Sequence, residues 1–473
     1  MDKLPEVTWS LMHPTPLNVD YMKRVIAEAA NYKVDSFEIC AACHTLLGGL
    51  DGLVLYEDYP AVAASLDREG IIANRRRLNE ILELAHASGR PVYYWHREVA
   101  VWPEFLKAVP ELRDANGEFD LLGDAFETLL RYKLAKAFDA VPALDGIVLT
   151  LTEADFSAIH NSTPGIYPPE QVVAKIVRIF AGEHAARGKR FILRSFGSIA
   201  KDYEDILAGA ALAAKEFSFE VETKITPYDF DPFLPDNPFM KRIPNLTLGA
   251  ECDSLGEFLG AGYLPAENVE NIVRYVRWGQ KCGVDRFTIR LDRIGNNIFD
   301  SYPVNLFAYE QAILNPGISA QEIRRRYAET HYPVSCRKEL EELGAAGYEV
   351  VTKLHYIDQH LIFHQFPLQA DLKWIKAGGI FGVFKDHRKL NLLNGIWSIL
   401  SERTTPGRER ILREKEEALV LAEKNLARVE KLRPELSEAE SLRLKRLWSN
   451  AVTAGKAIGS FVRVVCAYFD DME

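Results

Sequence analysis

The apolar residues of the first 317 positions fall into two alternating kinds of segment. Short apolar runs rich in β-branched and aromatic residues, which are typical of buried strands, occur at Val7–His13, Val34–Cys40, Pro91–His96, Gly146–Thr152, Arg190–Phe196, Phe217–Lys224, Leu246–Glu251 and Asp285–Leu291. Apolar positions spaced three and four apart predict helices at Asn18–Tyr32, Gly70–Ser88, Asp124–Ala140, Pro169–Arg187, Lys201–Ala214, Ala266–Cys282 and Val304–Leu314.

This alternation predicts the fold class. Strands that each precede a helix form parallel sheets, and eight of them over about 315 residues close most simply into a (β/α)8 TIM barrel. A doubly wound open sheet is the alternative, but no Gly-rich phosphate loop follows the first strand, so we favour the barrel. The predicted organisation is an α/β barrel over residues 1–317 and an all-helical domain over residues 318–473.

The C-terminal domain has helical periodicity and no convincing strand. Its predicted helices are Ser319–Glu329, Ser335–Ile362, Leu390–Glu402, Arg408–Leu432 and Ser437–Tyr468. Apolar positions flanked by opposite charges suit first a cap packed on the barrel, and a homodimer interface is the alternative that stays open.

Composition narrows the class of partner. The chain carries a net charge of -10, which argues against nucleic acid or an anionic membrane as a partner. No apolar run approaches the roughly 18 residues that a membrane span needs. The start of the chain lacks a signal-peptide pattern, and the 6 cysteines are scattered as free thiols would be, so we expect a cytoplasmic protein.

Three carboxylates indicate the chemistry. Glu153, Asp229 and Glu257 each follow a different strand-like segment, and the carboxyl ends of barrel strands carry the active site. Glycosidic bond hydrolysis needs one carboxylic acid that stays protonated and one or two carboxylates that activate water or attack the sugar. The sequence therefore predicts a glycoside hydrolase acting on an oligosaccharide.

Other strand ends supply candidate substrate-binding residues. These are His44, Trp95, His96, Arg194, Lys224, Glu251, Arg290 and Asp292. We expect neither a cofactor nor a metal, because His13 and His44 lack a fixed ligand spacing.

One stretch resembles a known family. Lys224, Asp229 and Phe230, followed by Glu257, an aromatic residue and Gly260, resemble the segment between strands six and seven of the α-glucuronidases of glycoside hydrolase family 67. The run Arg290–Asn305 and the residues after it are also similar. The likeness covers roughly residues 145–325, which suggests a divergent relative.

The resemblance implies specific roles. The family members are inverting (β/α)8 enzymes that remove glucuronic acid from the ends of xylan fragments, and their C-terminal helices form dimers. By position, Asp229 and Glu257 would be the basic pair and Glu153 the general acid. Arg194 and Lys224 would hold the sugar carboxylate.

This sequence also departs from the family. The family's N-terminal β-sandwich has no counterpart, because the first predicted strand begins at residue 7. The first three strands do not match in detail, and Ala-Asp155-Phe follows Glu153 in place of a Gly-rich turn.

Two other readings of the site stay open. A retaining glycosidase acting on neutral sugars would use Glu251 as nucleophile. A metal-dependent sugar-acid isomerase, epimerase or lyase would place His13, His44, Glu153 and Asp229 around a metal. The distance between carboxylates separates the first from an inverting enzyme, and chelator sensitivity separates the second.

Overall fold

A computed structural model describes most of the chain. The described residues are 4–12, 17–40, 48–99, 103–152, 167–197, 200–225, 232–233, 237–255, 261–293, 296–357, 360–361 and 406–471.

The chain divides into two compact units. The first comprises Met1–Ile225, Asn237–Cys252 and Gly279–Arg290, and the second comprises Thr226–Asp236, Asp253–Trp278 and Leu291–Glu473. The domain boundary near residue 317 stays a prediction.

The first unit contains a closed barrel of eight parallel strands, which confirms the predicted fold class. The strands are β1 Glu6–Leu11, β2 Ser36–Ile39, β3 Val92–Arg97, β4 Gly146–Thr150, β5 Arg190–Arg194, β6 Glu220–Lys224, β7 Thr247–Cys252 and β8 Arg286–Arg290. The ring closes where Ser10 lies opposite both Glu38 of β2 and Arg290 of β8.

Helices alternate with the strands along the chain as predicted, and two short helices, Pro60–Ala63 and Pro103–Ala108, occur where none was predicted. They are α1 Val19–Ala29, α2 Pro60–Ala63, α3 Arg68–Ala87, α4 Pro103–Ala108, α5 Asp124–Ala140, α6 Pro169–Ala185, α7 Ala200–Ala213 and α8 Val269–Cys282. The Asn18 side chain accepts a hydrogen bond from the Tyr21 backbone N–H at 3.0 Å, as an N-cap residue does.

The barrel interior is unusually polar. Arg286 of β8 donates to Glu220 and Glu222 of β6 at 2.6 and 2.7 Å and to Thr8 of β1 at 3.0 Å. Because β6 and β8 are not neighbours in the ring, these side chains must meet inside it. Gly249 lies between them on β7, where a Cβ atom would come within 2.4 Å of the Glu220 carboxylate. The barrel is therefore filled partly by ion pairs rather than by branched apolar side chains alone.

The second unit contains the C-terminal helical region, as predicted. Its helices after β8 are α9 Ile298–Ser301, α10 Val304–Leu314, α11 Ala320–His331, α12 Arg337–His355, α13 Pro406–Leu432 and α14 Glu438–Asp471. The predicted helix Leu390–Glu402 lies outside the described residues. None of the helices in the described ranges is long and apolar enough to cross a membrane.

One predicted helix ends earlier than expected. The prediction ran to Ile362, whereas α12 ends at His355 and the strand Tyr356–Ile357 follows, paired with His360–Leu361. The buried Lys415 ammonium of α13 donates to the backbone carbonyls of Lys353 and Tyr356. This contact satisfies carbonyl groups that a continuing helix would use, so the end of α12 depends on a distant side chain.

Candidate active site

Four of the predicted substrate-binding residues meet at the carboxyl ends of β5 to β8. Arg194, Lys224 and Arg290 are the last residues of their strands, and Glu251 is the penultimate residue of β7. All four are buried, with between 1% and 6% of their surface exposed. The strand order thus brings together residues that are between 27 and 96 positions apart in sequence.

Glu251 is the centre of this group. Its carboxylate accepts hydrogen bonds from Nε and Nη2 of Arg194, the second at 3.0 Å, and it pairs with Nη2 of Arg290 at 2.9 Å. Nε of Arg290 also donates to it, at 3.1 Å. Although burial opposes ionisation, Arg194 and Arg290 lower the pKa of Glu251 to about 2. Glu251 is therefore a permanently charged carboxylate bound by two guanidinium groups.

Aromatic rings lie against the same cations. The Trp95 ring centre is 4.6 Å from the guanidinium carbon of Arg194 and 4.5 Å from that of Arg290. Its indole N–H donates to Thr150 at 2.5 Å. The Phe196 ring lies 4.5 Å from Arg194 and 5.7 Å from Lys224. Contacts of this kind orient a cation through the negative face of the ring.

A second carboxylate, that of Glu38, lies near the cations of this cluster. Three cations, Arg194, Lys224 and Arg290, lie near two carboxylates, those of Glu251 and Glu38. Glu38 of β2 is 3.9 Å from Arg290 and accepts from Ser10 at 2.7 Å.

The structure does not describe the three predicted catalytic carboxylates. Glu153, Asp229 and Glu257 lie outside the described residues, as do His13 and His44. The strands that precede the first two end at Thr150 and Lys224. Their roles therefore stay predictions.

One layer deeper in the barrel lies Glu222, a carboxyl group whose pKa is raised. Burial raises the pKa of Glu222 to about 7, and Glu38 and Glu251 act in the same direction against the pull of Arg286. Thr288 donates to its carboxylate at 2.5 Å. Glu222 is therefore partly protonated near neutral pH.

His96 lies apart from the group around Glu251. Successive residues of a strand point to opposite faces, and Trp95 contacts the two interior arginines. His96 instead stacks on Phe180 of α6 with 6.1 Å between ring centres. The Leu50 N–H donates to its Nδ1 at 3.2 Å, so Nε2 carries the proton that is donated to Glu98 at 2.6 Å.

His96 belongs to a buried cluster that could be mistaken for a metal centre. Asp51, His96 and Glu98 present ligand atoms within 4.8 Å of one another. Lys133 of α5, however, places its ammonium 3.0 Å from Asp51 and 2.6 Å from Glu98. Although burial opposes it, Lys133 and His96 lower the pKa of Glu98 to about 2. The lysine supplies the positive charge that a metal would bring.

Asp292 belongs to the second unit. It is fully buried and pairs with Asn297 in a short antiparallel turn, Asp292–Arg293 with Asn296–Asn297. Its predicted part in substrate binding stays a prediction.

Sequence analysis missed the polar residues inside the barrel. Glu38, Glu220 and Glu222 lie in segments recognised as strands, but their charges were not interpreted. The signal was present in Glu220-Val-Glu222-Thr-Lys224, where charged residues alternate along a strand that a barrel buries on both faces. Asp51 and Lys133 gave no such signal, because Asp51 lies in the short 3-10 helix Gly49–Leu53 and Lys133 lies in an amphipathic helix.

Comparison with known proteins gives the fold. No family model matches the sequence, and no curated protein matches it. The chain is similar to a GH138 enzyme targeting pectin rhamnogalacturonan II, with a TM-score of 0.64 and 13% identity over 98% of this chain and 59% of the other. It is also similar to a family GH115 4-O-methyl-α-glucuronidase with specificity for decorated arabinogalactans, with a TM-score of 0.50 and 9% identity over 98% and 55%.

At such identities the likeness shows a shared barrel architecture, and no specific relation to family 67 is shown. The chain spans between 55% and 59% of the length of these two neighbours.

Proposed function

We propose that this protein is an inverting glycoside hydrolase that removes an α-linked uronic acid, such as glucuronate, from an oligosaccharide. The observation that carries the proposal is the buried group of Arg194, Lys224 and Arg290 at the carboxyl end of the barrel, where barrel enzymes bind substrate. A uronic acid differs from a neutral sugar by one carboxylate, and guanidinium groups bind carboxylates with charge-assisted hydrogen bonds.

Two likenesses support this substrate class. The segment from Lys224 to Gly260 resembles that of family 67 α-glucuronidases, and a structural neighbour is a 4-O-methyl-α-glucuronidase. The GH138 neighbour is an enzyme targeting a pectin. All three are glycoside hydrolases, and the first two are named for a uronic acid.

The proposed reaction is a single displacement. Glu153 donates its proton to the glycosidic oxygen as the bond from that oxygen to the anomeric carbon breaks. Asp229 and Glu257 take a proton from a water whose oxygen bonds to the anomeric carbon from the opposite face. We expect Glu153 and the base carboxylates to lie about 6.5–9.5 Å apart, as inversion requires.

In the retaining alternative, Glu251 would be the nucleophile that attacks the anomeric carbon of the sugar. Both of its oxygens accept hydrogen bonds from Arg194, and Arg290 contacts one of them as well. Lone pairs held by two guanidinium groups are poor nucleophiles, so this arrangement favours a different role for Glu251.

The test is hydrolysis of a matched panel. α-Linked uronic acid disaccharides and their neutral counterparts are incubated with the purified protein, with and without EDTA, and proton NMR identifies the anomer released first. We expect EDTA-insensitive cleavage of the uronic members with inversion. Retention would contradict the mechanism, cleavage of neutral members only would contradict the substrate class, and loss of activity in EDTA would favour the metal-dependent alternative.

A further inference from the structure

We propose that Arg274 of α8 and Tyr356, directly after α12, are positioning residues that hold the loop after β6 and, through it, the predicted base Asp229. The inference rests on the proposed function for the role of Asp229, which lies outside the described residues. Pro232 and Phe233, three and four positions later in the sequence, are described. The contacts of Arg274 with Pro232 and of Tyr356 with Phe233 are the two anchors of the loop.

The loop after β6 belongs to the same compact unit as the C-terminal helices. β6 ends at Lys224 in the first unit, whereas Thr226–Asp236 belongs to the second unit together with Asp253–Trp278 and Leu291–Glu473. Both anchors are therefore contacts within one unit. They give the helical region a part in the proposed reaction that its sequence, which has no predicted catalytic residue after residue 317, did not suggest.

Arg274 supplies the first anchor. Its Nη1 donates a hydrogen bond to the backbone carbonyl of Pro232 at 3.0 Å. A hydrogen bond from a charged donor is stronger than one between neutral groups, and a carbonyl acceptor fixes the backbone of the loop rather than one of its side chains. Three residues of chain span at most about 11 Å, so an anchor at Pro232 restricts where Asp229 can lie.

Tyr356 supplies the second anchor. Its ring centre lies 5.1 Å from that of Phe233, and the two rings meet edge to face at 69°, a favoured geometry for aromatic pairs. Tyr356 is 2% exposed, it pairs with Leu361 in a short antiparallel ribbon, and its carbonyl accepts a hydrogen bond from the buried Lys415 ammonium. Phe233, which is 37% exposed, therefore packs against a ring whose own position is fixed.

The second unit also contains an arginine and an aromatic pair that serve as matched controls. Arg277, one turn further along α8, donates to the backbone carbonyls of Pro316 and Ile318 at 3.2 and 2.8 Å. Tyr327 of α11 meets Phe307 of α10 edge to face, with 5.5 Å between ring centres. These contacts have the chemistry of the two anchors, but neither of them holds a segment with a predicted catalytic residue.

The first measurement is hydrogen–deuterium exchange of the full chain, followed in peptides that cover residues 226–236. The variants are Arg274→Met and Tyr356→Leu, with Arg277→Met and Tyr327→Leu as controls. We expect both anchor variants to exchange at least about fivefold faster in this segment, because losing a supporting contact favours local opening. The control variants should lower the Tm as well but change exchange in residues 226–236 by less than about twofold.

The second measurement separates positioning from packing. On a uronic disaccharide we expect Arg274→Met and Tyr356→Leu to lower kcat at least about tenfold and to change KM less than about threefold, because a displaced base slows the chemical step without removing contacts to the sugar. Arg274→Lys can still donate to the carbonyl and Tyr356→Phe keeps the ring, so each should restore most of kcat. Arg277→Met and Tyr327→Leu should keep kcat within about twofold of the wild type.

Three results would overturn the proposal. They are complete exchange of residues 226–236 in the wild type at the shortest labelling time, unchanged exchange or unchanged kcat in the anchor variants, and an equal loss of kcat in anchor and control variants. Failure of the proposed function gives a different result. A wild type that hydrolyses no uronic disaccharide contradicts the proposed function, while the exchange measurement still decides whether Arg274 and Tyr356 hold the loop.

Discussion

At the scale of single residues, Glu222 makes the stability of the barrel depend on pH. Its pKa rises from 4.5 to about 7 in the folded chain, so the folded state binds a proton that the unfolded state has released. The stability that Glu222 contributes is then greatest below pH 4.5 and is lost as pH rises towards 7, by about 3 kcal/mol for the full shift. Urea unfolding at several pH values should show this fall in the difference between the free energies of unfolding of the wild type and Glu222→Gln, because the depressed pKa of His184 gives both proteins the same opposite contribution.

Substitution of a neighbouring apolar residue is the control for this dependence of stability on pH. Ile192 lies buried in the same barrel interior, and Ile192→Val should lower the free energy of unfolding by about 1 kcal/mol at every pH. A slope in Glu222→Gln as steep as that of the wild type would show that another group is responsible.

Glu153 gives the sharpest test of the proposed chemistry. Glu153→Gln removes the proton donor, and we expect kcat on a uronic disaccharide to fall by about 10²–10⁴-fold. An aglycone that leaves without protonation, such as 4-nitrophenol, should restore much of the rate if that glycoside is a substrate. An equal loss with both leaving groups would contradict the role of general acid.

At the scale of elements, Lys133 connects α5 to the 3-10 helix Gly49–Leu53 and to the end of β3. It contacts Asp51 of that short helix and Glu98, which follows β3 directly. Lys133→Met leaves two buried carboxylates without their cation, so we expect the free energy of unfolding to fall by about 3–5 kcal/mol. Chemical denaturation measures the change.

The same helix offers the control for Lys133. Lys136 pairs with Asp58 at 3.5 Å, and both side chains are exposed. Lys136→Met should change the free energy of unfolding by less than about 1 kcal/mol. A comparable loss in both variants would mean that helix α5 responds to any change of charge rather than to burial.

Element positions were largely predictable, and the reason is periodicity. The predicted strand Arg190–Phe196 and the observed Arg190–Arg194 begin together, and helix Val304–Leu314 was predicted to the residue. The spacing of apolar residues indicates which face of a segment is buried, and in a barrel this spacing distinguishes a strand from a helix. The end of α12 was not predictable, because the ammonium of Lys415 that binds its carbonyls comes from about 60 residues later in the chain.

The direction of side chains was predicted less well than the elements. Trp95 and His96 were both assigned to substrate, although neighbours on one strand face opposite sides. The alternation of side chains along a strand would by itself have placed Trp95 and His96 on opposite faces. Which of the two faces the interior depends on the neighbouring strands, and only the contacts of Trp95 with Arg194 and Arg290 decide it. Pairing partners such as Glu251 also depend on barrel closure, which no local pattern encodes.

At the scale of the whole molecule, the C-terminal helices predict a homodimer. Val420 of α13 and Leu442 and Val464 of α14 are large apolar side chains that are 53% to 59% exposed. Analytical ultracentrifugation of the full chain should therefore give a dimer of 53.4 kDa subunits. Val420→Asp combined with Val464→Asp should raise the dimer Kd at least about tenfold, because a buried carboxylate without a partner is costly.

An exposed apolar residue outside α13 and α14 serves to distinguish this interface from nonspecific hydrophobic association. Val334 lies between α11 and α12 and is 78% exposed. Val334→Asp should leave the dimer unchanged if α13 and α14 form the interface. A wild-type monomer at all concentrations would instead favour the cap, and the exposed valines would then be isolated apolar side chains of the kind that most protein surfaces carry.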